Sequence, residues 1–374
     1  MSGIEVLGYG VHPFGRFPDK LPAAMARTAI ERALASAVVP LESIDAVYTG
    51  HSNPESGGGA AVLAASGIRG IPVINLDQAC ASSATAIALA ALALRAGEHE
   101  RVLVVGFEKM GSGFVRLSQP HGGDDEFLGF DLQPVRYALK ASRYLDMYGA
   151  EESALAEVTV KSRTHSALNG DAHMRSETSV EEVLTSPMVS SPLTRLQCCP
   201  TSDGAAAVVL GRAKGGARSR RARIASWSIG TPEAAESRAV GVPESFTSRL
   251  ARQAYELAGI GPGDVEVAQV HDAFTIAEPL RLEALSLVPE GEGLVWTAKG
   301  MTSLGGRLPT NTDGGLLGRG HPVGATGVAQ LIEIARQLNG DAGARQIEPR
   351  PSVGLCQNLG GGENGGGVVM VVKR

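Results

Sequence analysis

Cys80 lies in the segment Asp77-Gln78-Ala79-Cys80-Ala81-Ser82-Ser83-Ala84. The apolar stretch before it, residues 71–76, reads as a strand, and the Ala-, Leu- and Ile-rich stretch after it reads as a helix. A cysteine at a helix N-terminus meets the positive end of the helix dipole and unpaired N–H groups, which favour the nucleophilic thiolate. On its own such a residue is more often an inert core cysteine, because free cysteine is among the most buried residue types. His321 lies in Gly318-Arg319-Gly320-His321-Pro322-Val323-Gly324-Ala325-Thr326-Gly327. There the glycines allow close backbone approach and Pro322 suits the first position of a helix. His271, in Val270-His271-Asp272-Ala273-Phe274, follows a strand pattern and so sits at the strand's carboxyl edge, where α/β proteins place their sites. Each histidine alone reads as a satisfied structural group. With Cys80 they supply a base for a thiol and a neutral N–H donor for an enolate or oxyanion, which is the requirement of cysteine-based acyl transfer.

The elements that must position these residues alternate along the chain. A helical pattern over residues 21–37 leads through Pro40 to a strand over 44–49, and a helix over 82–96 precedes a buried-type strand over 101–106. This alternation predicts α/β layering. Over residues 111–191 aromatic, His and Met residues appear and loops lengthen, with amphipathic helical patterns near 135–147 and 152–166, so this stretch reads as an inserted cap. A strand over 205–210 closes the first half, residues 1–110 and 192–218. The basic stretch 212–223 leads into the second half, residues 219–374. The second half repeats the first: a helix around residues 251–257, Pro262 and a strand over 265–270 match the helix, Pro40 and strand of the first half. Likewise Ala84-Thr85-Ala86 after Cys80 matches Ala325-Thr326-Gly327 after His321. Two copies of one α/β unit would therefore bring two equivalent helix N-termini together, one carrying Cys80 and the other His321.

Composition narrows the function classes. With 43% hydrophobic and 20% charged residues, the 374-residue chain is of globular composition, neither disordered nor coiled-coil. Its net charge of −5 lacks the basic footprint of a nucleic-acid binder, and Arg218, Arg220, Arg221 and Arg223 read as a solvated linker. Aromatics are only 4% and glycines number 48, so packing must rely on small aliphatic side chains. Cys80, Cys198, Cys199 and Cys356 are too few and too irregularly spaced for a disulfide framework or a metal site, which points to a reducing compartment. Cys198-Cys199 leads into Pro200 and a strand, and is expected to pack. Residues 1–11 lack the charge and apolar run of a signal peptide, and no run reaches the 18 or so apolar residues of a membrane span. The expectation is a cytoplasmic protein with no membrane or nucleic-acid partner.

Four blocks, in order, make the chain resemble the thiolase superfamily, in particular sterol-carrier-protein-2-type thiolases and related acyltransferases. They are Ala79-Cys80-Ala81-Ser82-Ser83, Pro200-Thr201-Ser202-Asp203-Gly204-Ala205, His271-Asp272-Ala273-Phe274 and Gly320-His321-Pro322-Val323-Gly324-Ala325-Thr326-Gly327, with Gln357-Asn358-Leu359-Gly360-Gly361 beyond them. The resemblance implies a duplicated five-layered α-β-α-β-α fold, a homodimer, and acyl-CoA as substrate with no resident cofactor or metal. It implies Cys80 as the acylated nucleophile, His321 as its activator and His271 as the donor to the second thioester oxygen. Asn358 and Gly360 fall in the oxyanion and substrate-binding region, with the Gly360 backbone beside Cys80.

The chain departs from the family at the base that removes an α-proton. Typical members use a second cysteine, in a C-terminal Cys-x-Gly motif or as the third residue of His-Asp-Cys-Phe. Here these places hold Asn358 and Ala273, with Cys356 two residues before Asn358. Cys356 either serves as the base through a register shift in the loop 360–367 or ends a strand and packs. Two functions stay open. One is an acyl-CoA C-acyltransferase that makes or breaks a carbon–carbon bond through acyl-Cys80. The other is a partner-dependent or catalytically weak subunit acting with a small OB-fold protein, since residues 308–315 resemble the corresponding segment of such proteins.

Overall fold

A computed structural model describes residues 3–52, 58–110, 132–213, 221–233, 245–361 and 365–374. The chain opens with β1 (Ile4–Gly15), α1 (Pro22–Ala37), β2 (Ala46–Gly50), α2 (Gly59–Ala65), β3 (Val73–Leu76), α3 (Ser82–Ala96) and β4 (Arg101–Glu108). There follow α4 (Gln133–Tyr148), α5 (Glu152–Ala167), α6 (Val180–Thr185), β5 (Met188–Ser190) and β6 (Leu193–Thr194). Next come β7 (Asp203–Arg212), β8 (Arg223–Gly230), α7 (Ser245–Ala258), β9 (Val267–Gln269), α8 (Ala277–Ala284) and α9 (Gly293–Ala298). The chain closes with α10 (Gly315–Gly318), α11 (Thr326–Asn339), β10 (Val353–Gly360) and β11 (Gly366–Lys373). Residues 111–131 of the expected cap, and Arg218 and Arg220 of the basic cluster, lie outside the described residues.

The strand order β3-β2-β4-β7-β1-β8-β11-β10-β9 carries the duplication. In the first half β2 runs parallel to β4, and β4, β7 and β1 follow antiparallel. In the second half β9 runs parallel to β10, and β10, β11 and β8 follow antiparallel. The two copies join where β1 meets β8 through only two residue pairs, Ile4 with Ile224 and Glu5 with Arg223. β3 has its echo in a single parallel bridge between Thr310 and Ala268.

Side-chain alternation explains the layers. Along β7, Ala205, Ala207 and Val209 pack with Met25, Ala29 and Ile30 of α1, while Ala206, Val208 and Leu210 pack inward with α3 and α11. Strands covered on both faces read as continuous apolar runs, as β4 and β7 do. The inward faces of both half-sheets, from Val104 to Met370, share one core with α3 and α11, and α7 covers the outer face of the second half through Leu250 and Ala254. The order is helix, sheet, helices, sheet, helix, as the resemblance implies.

Two local features differ from the sequence expectation. The strands over 44–49 and 265–270 begin two residues later, at Ala46 and Val267, because Ile44 and Val265 cap the one-turn helices Leu41–Ser43 and Pro262–Asp264, their N–H groups donating to the Leu41 and Pro262 carbonyls. The stretch Ala79–Ala96 is long and apolar enough to cross a membrane, contrary to the reading that no run was; 72% of it is buried as the central helix. α3 is apolar all round because α11 lies on it as well as the sheets. Gly327 permits that contact: a Cβ there would sit 2.4 Å from the Ala84 nitrogen.

Candidate active site

The elbow between β3 and α3 is a tight turn. Ala79 adopts φ of 48°, the Ala81 N–H donates to the Gln78 carbonyl at 3.0 Å, and the Ser82 N–H to the Ala79 carbonyl at 3.0 Å. The Ser82 hydroxyl donates to the Ala79 carbonyl at 2.6 Å and accepts from the Gln78 N–H at 2.8 Å, fixing the turn from within. Cys80 is presented two residues before α3 begins, 5% exposed, against Met110 and Val323. From the second half, β10 ends on the same turn, where a Cβ on Gly360 would lie 1.9 Å from the Gln78 oxygen and 3.0 Å from the Cys80 nitrogen. Only glycine fits there.

His321 Nε2 lies 3.2 Å from Cys80 Sγ. Its tautomer follows from its other contact. The Thr326 hydroxyl donates its single hydrogen to the Pro322 carbonyl at 2.8 Å, so it must accept from His321 Nδ1 at 2.7 Å. Nδ1 therefore carries the proton, and Nε2 is free to accept from the thiol. The His321 N–H donates to Ser202 Oγ at 3.2 Å, and that hydroxyl donates to the Pro200 carbonyl at 3.1 Å. The His271 ring stands edge-on to His321, with centroids 5.2 Å apart and planes at 84°. One donor atom from each of Cys80, His271 and His321 lies within 4.8 Å of the others.

Burial sets the charges. The Cys80 thiol is pushed up to about 12, first by desolvation and then by the Glu108 carboxylate, while its own backbone N–H opposes the shift. This corrects the expectation of a favoured thiolate: the helix end is present, but desolvation and Glu108 outweigh it. Burial and then Arg319 hold His321 down to about 3, and burial followed by His321, Arg281 and Arg319 holds His271 well below its usual value. The resting pair is thiol and neutral imidazole, so the thiolate forms as His321 takes the proton. In His321→Ala, where no base takes that proton, iodoacetamide alkylation of Cys80, followed by peptide mapping, should therefore rise close to tenfold per pH unit from about pH 7 to 10 without the plateau near 8.5 of a free thiol. A plateau near 7 would indicate a preformed thiolate.

Cys80, His271, His321 and Gly360 are thus brought together. Cys356 is not among the three clustered donors. It is buried on β10 opposite Met370, with Ala84, Ile87, Gln330 and Leu331 around it, and burial raises its thiol far above the ordinary range. The Asn358 amide is committed to Gln330, donating from Nδ2 to Oε1 at 2.8 Å. Asp272 lies beyond the end of β9, so strand alternation does not place it; it accepts the Leu316 N–H at 2.7 Å. Cys198 and Cys199 are free and pack beside α4 and α5, with the Cys199 N–H on the Ala273 carbonyl at 2.9 Å. The segment 308–315, singled out for its likeness to partner-dependent proteins, is internal. Thr310, Asn311 and Thr312 are wholly buried, and Asn311 braces β9 by accepting the Val270 N–H at 2.9 Å. The sequence reading missed Thr326 as the residue orienting His321, although its place five residues on at the helix start is a usable signal. It also missed Ser202, Glu108 and Met110, which reach the site from distant elements.

Two nitrogens and a sulfur are donors of a kind that also holds zinc. The comparisons favour acyl transfer. Residues 10–214 match the family model "Thiolase, N-terminal domain" and residues 235–373 match "Thiolase C-terminal domain-like". The chain belongs to the thiolase family, and it is an acyltransferase of that family. It is 35% identical over 400 residues to human sterol carrier protein 2, covering 99% of this chain and 72% of that protein. It is 34% identical over 370 residues to the benzoylsuccinyl-CoA thiolase subunit BbsB of Thauera aromatica, covering 96% of this chain and 95% of that one. Its fold matches the structure titled Ltp2-ChsH2(DUF35) aldolase with a TM-score of 0.82 at 24% identity, over 98% of this chain and 97% of that one.

Proposed function

We propose that this chain carries an acyl group from a CoA thioester on Cys80 and passes it to a carbon nucleophile, in either direction, by a ping-pong route. The observation that carries this reading is the 3.2 Å contact between Cys80 Sγ and a His321 whose proton sits on Nδ1. His321 Nε2 takes the thiol proton as sulfur attacks the thioester carbonyl; CoA thiolate leaves and takes that proton from the imidazolium. The Cys80 N–H and the Gly360 backbone face the oxygen of the first tetrahedral intermediate, and a His271 N–H faces the carbonyl of the second substrate. Attack by that substrate's carbanion then forms the carbon–carbon bond and breaks the Cys80 C–S bond; the sulfur leaves as thiolate and regains a proton, either the one lost from that carbon or, after decarboxylation, one from solvent. We further place the protein in the cytoplasm as a homodimer, with CoA thioesters as substrates rather than resident cofactors.

The second carbon must become nucleophilic without a cysteine at position 273 or 358. Decarboxylation, cleavage of a carbon–carbon bond, or a proton taken by a partner would each supply it. A partner is favoured by two names: BbsB is a subunit, and the aldolase structure pairs Ltp2 with a DUF35 protein. The test compares acylation of Cys80 with exchange of acetyl-CoA α-protons for deuterium, for the chain alone and with a small co-encoded protein. Acylation without exchange by the chain alone is expected, and Ala273→Cys should raise exchange by about 10²-fold, the lower end of a general base's contribution. Rapid exchange by the wild type, abolished by Cys356→Ala with acylation intact, would instead make Cys356 the base.

A further inference from the structure

Asn358 and His271 are linked through the buried amide of Gln330, the main-chain carbonyl of Gln357 and the amide side chain of Gln357. Asn358 Nδ2 donates to Gln330 Oε1 at 2.8 Å; Gln330 Nε2 donates to the Gln357 carbonyl at 3.1 Å; Gln357 Oε1 accepts the His271 N–H at 3.0 Å. Gln330, Gln357 and Asn358 are all buried. The orientation of every amide is forced. The His271 N–H requires an oxygen from Gln357, and the Gln357 carbonyl requires an N–H from Gln330. Gln330 then presents only its oxygen to residue 358, which must be a donor. Asn358 Oδ1 and Gln357 Nε2 are left without partners, so neither amide gains by turning round.

We propose that Gln330, Gln357 and Asn358 are positioning residues that hold the His271 backbone against α11, the helix that follows His321. Position 358, where the family's second cysteine would stand, serves in this chain to orient Gln330. The relay links the strand end carrying His271, the strand ending at Gly360 and the helix that carries Thr326, so it sets the spacing of the two histidines. A side chain at 358 without a donor frees Gln330 to turn, and the loss is felt at His271, which Asn358 does not touch. The importance of this spacing rests on the acyl-transfer reading; the relay itself exists in the resting protein and is measured there.

The test is amide hydrogen exchange of His271 in ¹⁵N-histidine-labelled protein, with the resonance assigned by its loss in His271→Asn. Gln330→Leu and Asn358→Leu should each speed exchange, Gln330→Leu by about tenfold, the factor expected for one lost hydrogen bond. The double variant should exchange no faster than Gln330→Leu alone. Should Gln330→Leu fail to fold, Gln330→Glu replaces it at nearly the same size and turns a carboxylate oxygen on the Gln357 carbonyl. An unchanged His271 rate in the folded variants, or additive effects of the two substitutions, would overturn the relay. Neither outcome depends on turnover, so a failure of acyl transfer would not be mistaken for a failure of the relay.

Discussion

Cys80→Ala is expected to abolish acyl transfer, lowering kcat by at least about 10⁴-fold, as loss of a covalent nucleophile does elsewhere. The fold should persist, because Cys80 contributes only a small side chain to a contact with Met110 and Val323, while the elbow is held by Ser82 and the Gln78 and Ala79 carbonyls. Steady-state assays with acyl-CoA, paired with thermal unfolding, separate the two. Loss of activity with an unchanged melting temperature is the expected pattern. Retained turnover would mean that the carbon–carbon chemistry does not pass through this sulfur.

His321→Ala is expected to slow acylation of Cys80 by about 10²–10⁴-fold, the contribution of a positioned general base. It should also change the pH profile. With His321 held neutral down to about 3, wild-type acylation should have no acid limb from this group across pH 5–8. In the variant the thiol must ionise by itself, and since burial holds it near 12, the rate should climb tenfold per unit over the same range. Thr326→Val, which removes the acceptor on Nδ1, should lie between the two. Stopped-flow measurement of CoA release across pH checks all three, and a variant profile as flat as the wild type's would remove His321 from the role of base.

What the sequence made legible follows from locality. The helix over residues 82–96 is visible as one long apolar segment and the helix near 135–147 as an amphipathic period; a helix also forms over 152–166, but it is buried on most sides and not amphipathic as expected. The pairing of Cys80 with His321 was visible because duplication turns a long-range contact into a comparison of two local patterns. Charge was less legible. The helix end beside Cys80 can be read from neighbours in the chain, whereas the desolvation and the Glu108 carboxylate that oppose it come from β4 and from packing of the two halves. The strands start later, at Ala46 and Val267, because the apolar Ile44 and Val265 cap one-turn helices, a role that their apolarity does not reveal. The amide chain from Asn358 to His271 joins three elements through side chains that read singly as unremarkable polar residues.

The acyl-enzyme itself is the most direct measurement. Wild-type protein mixed with acetyl-CoA or a longer acyl-CoA and quenched in acid should gain the mass of one acyl group by intact mass spectrometry. Peptide mapping should place it on Cys80, with one equivalent of CoA released and no adduct in Cys80→Ala. Absence of any adduct across chain lengths, or an adduct that persists in Cys80→Ala, would contradict an acyl-Cys80 route.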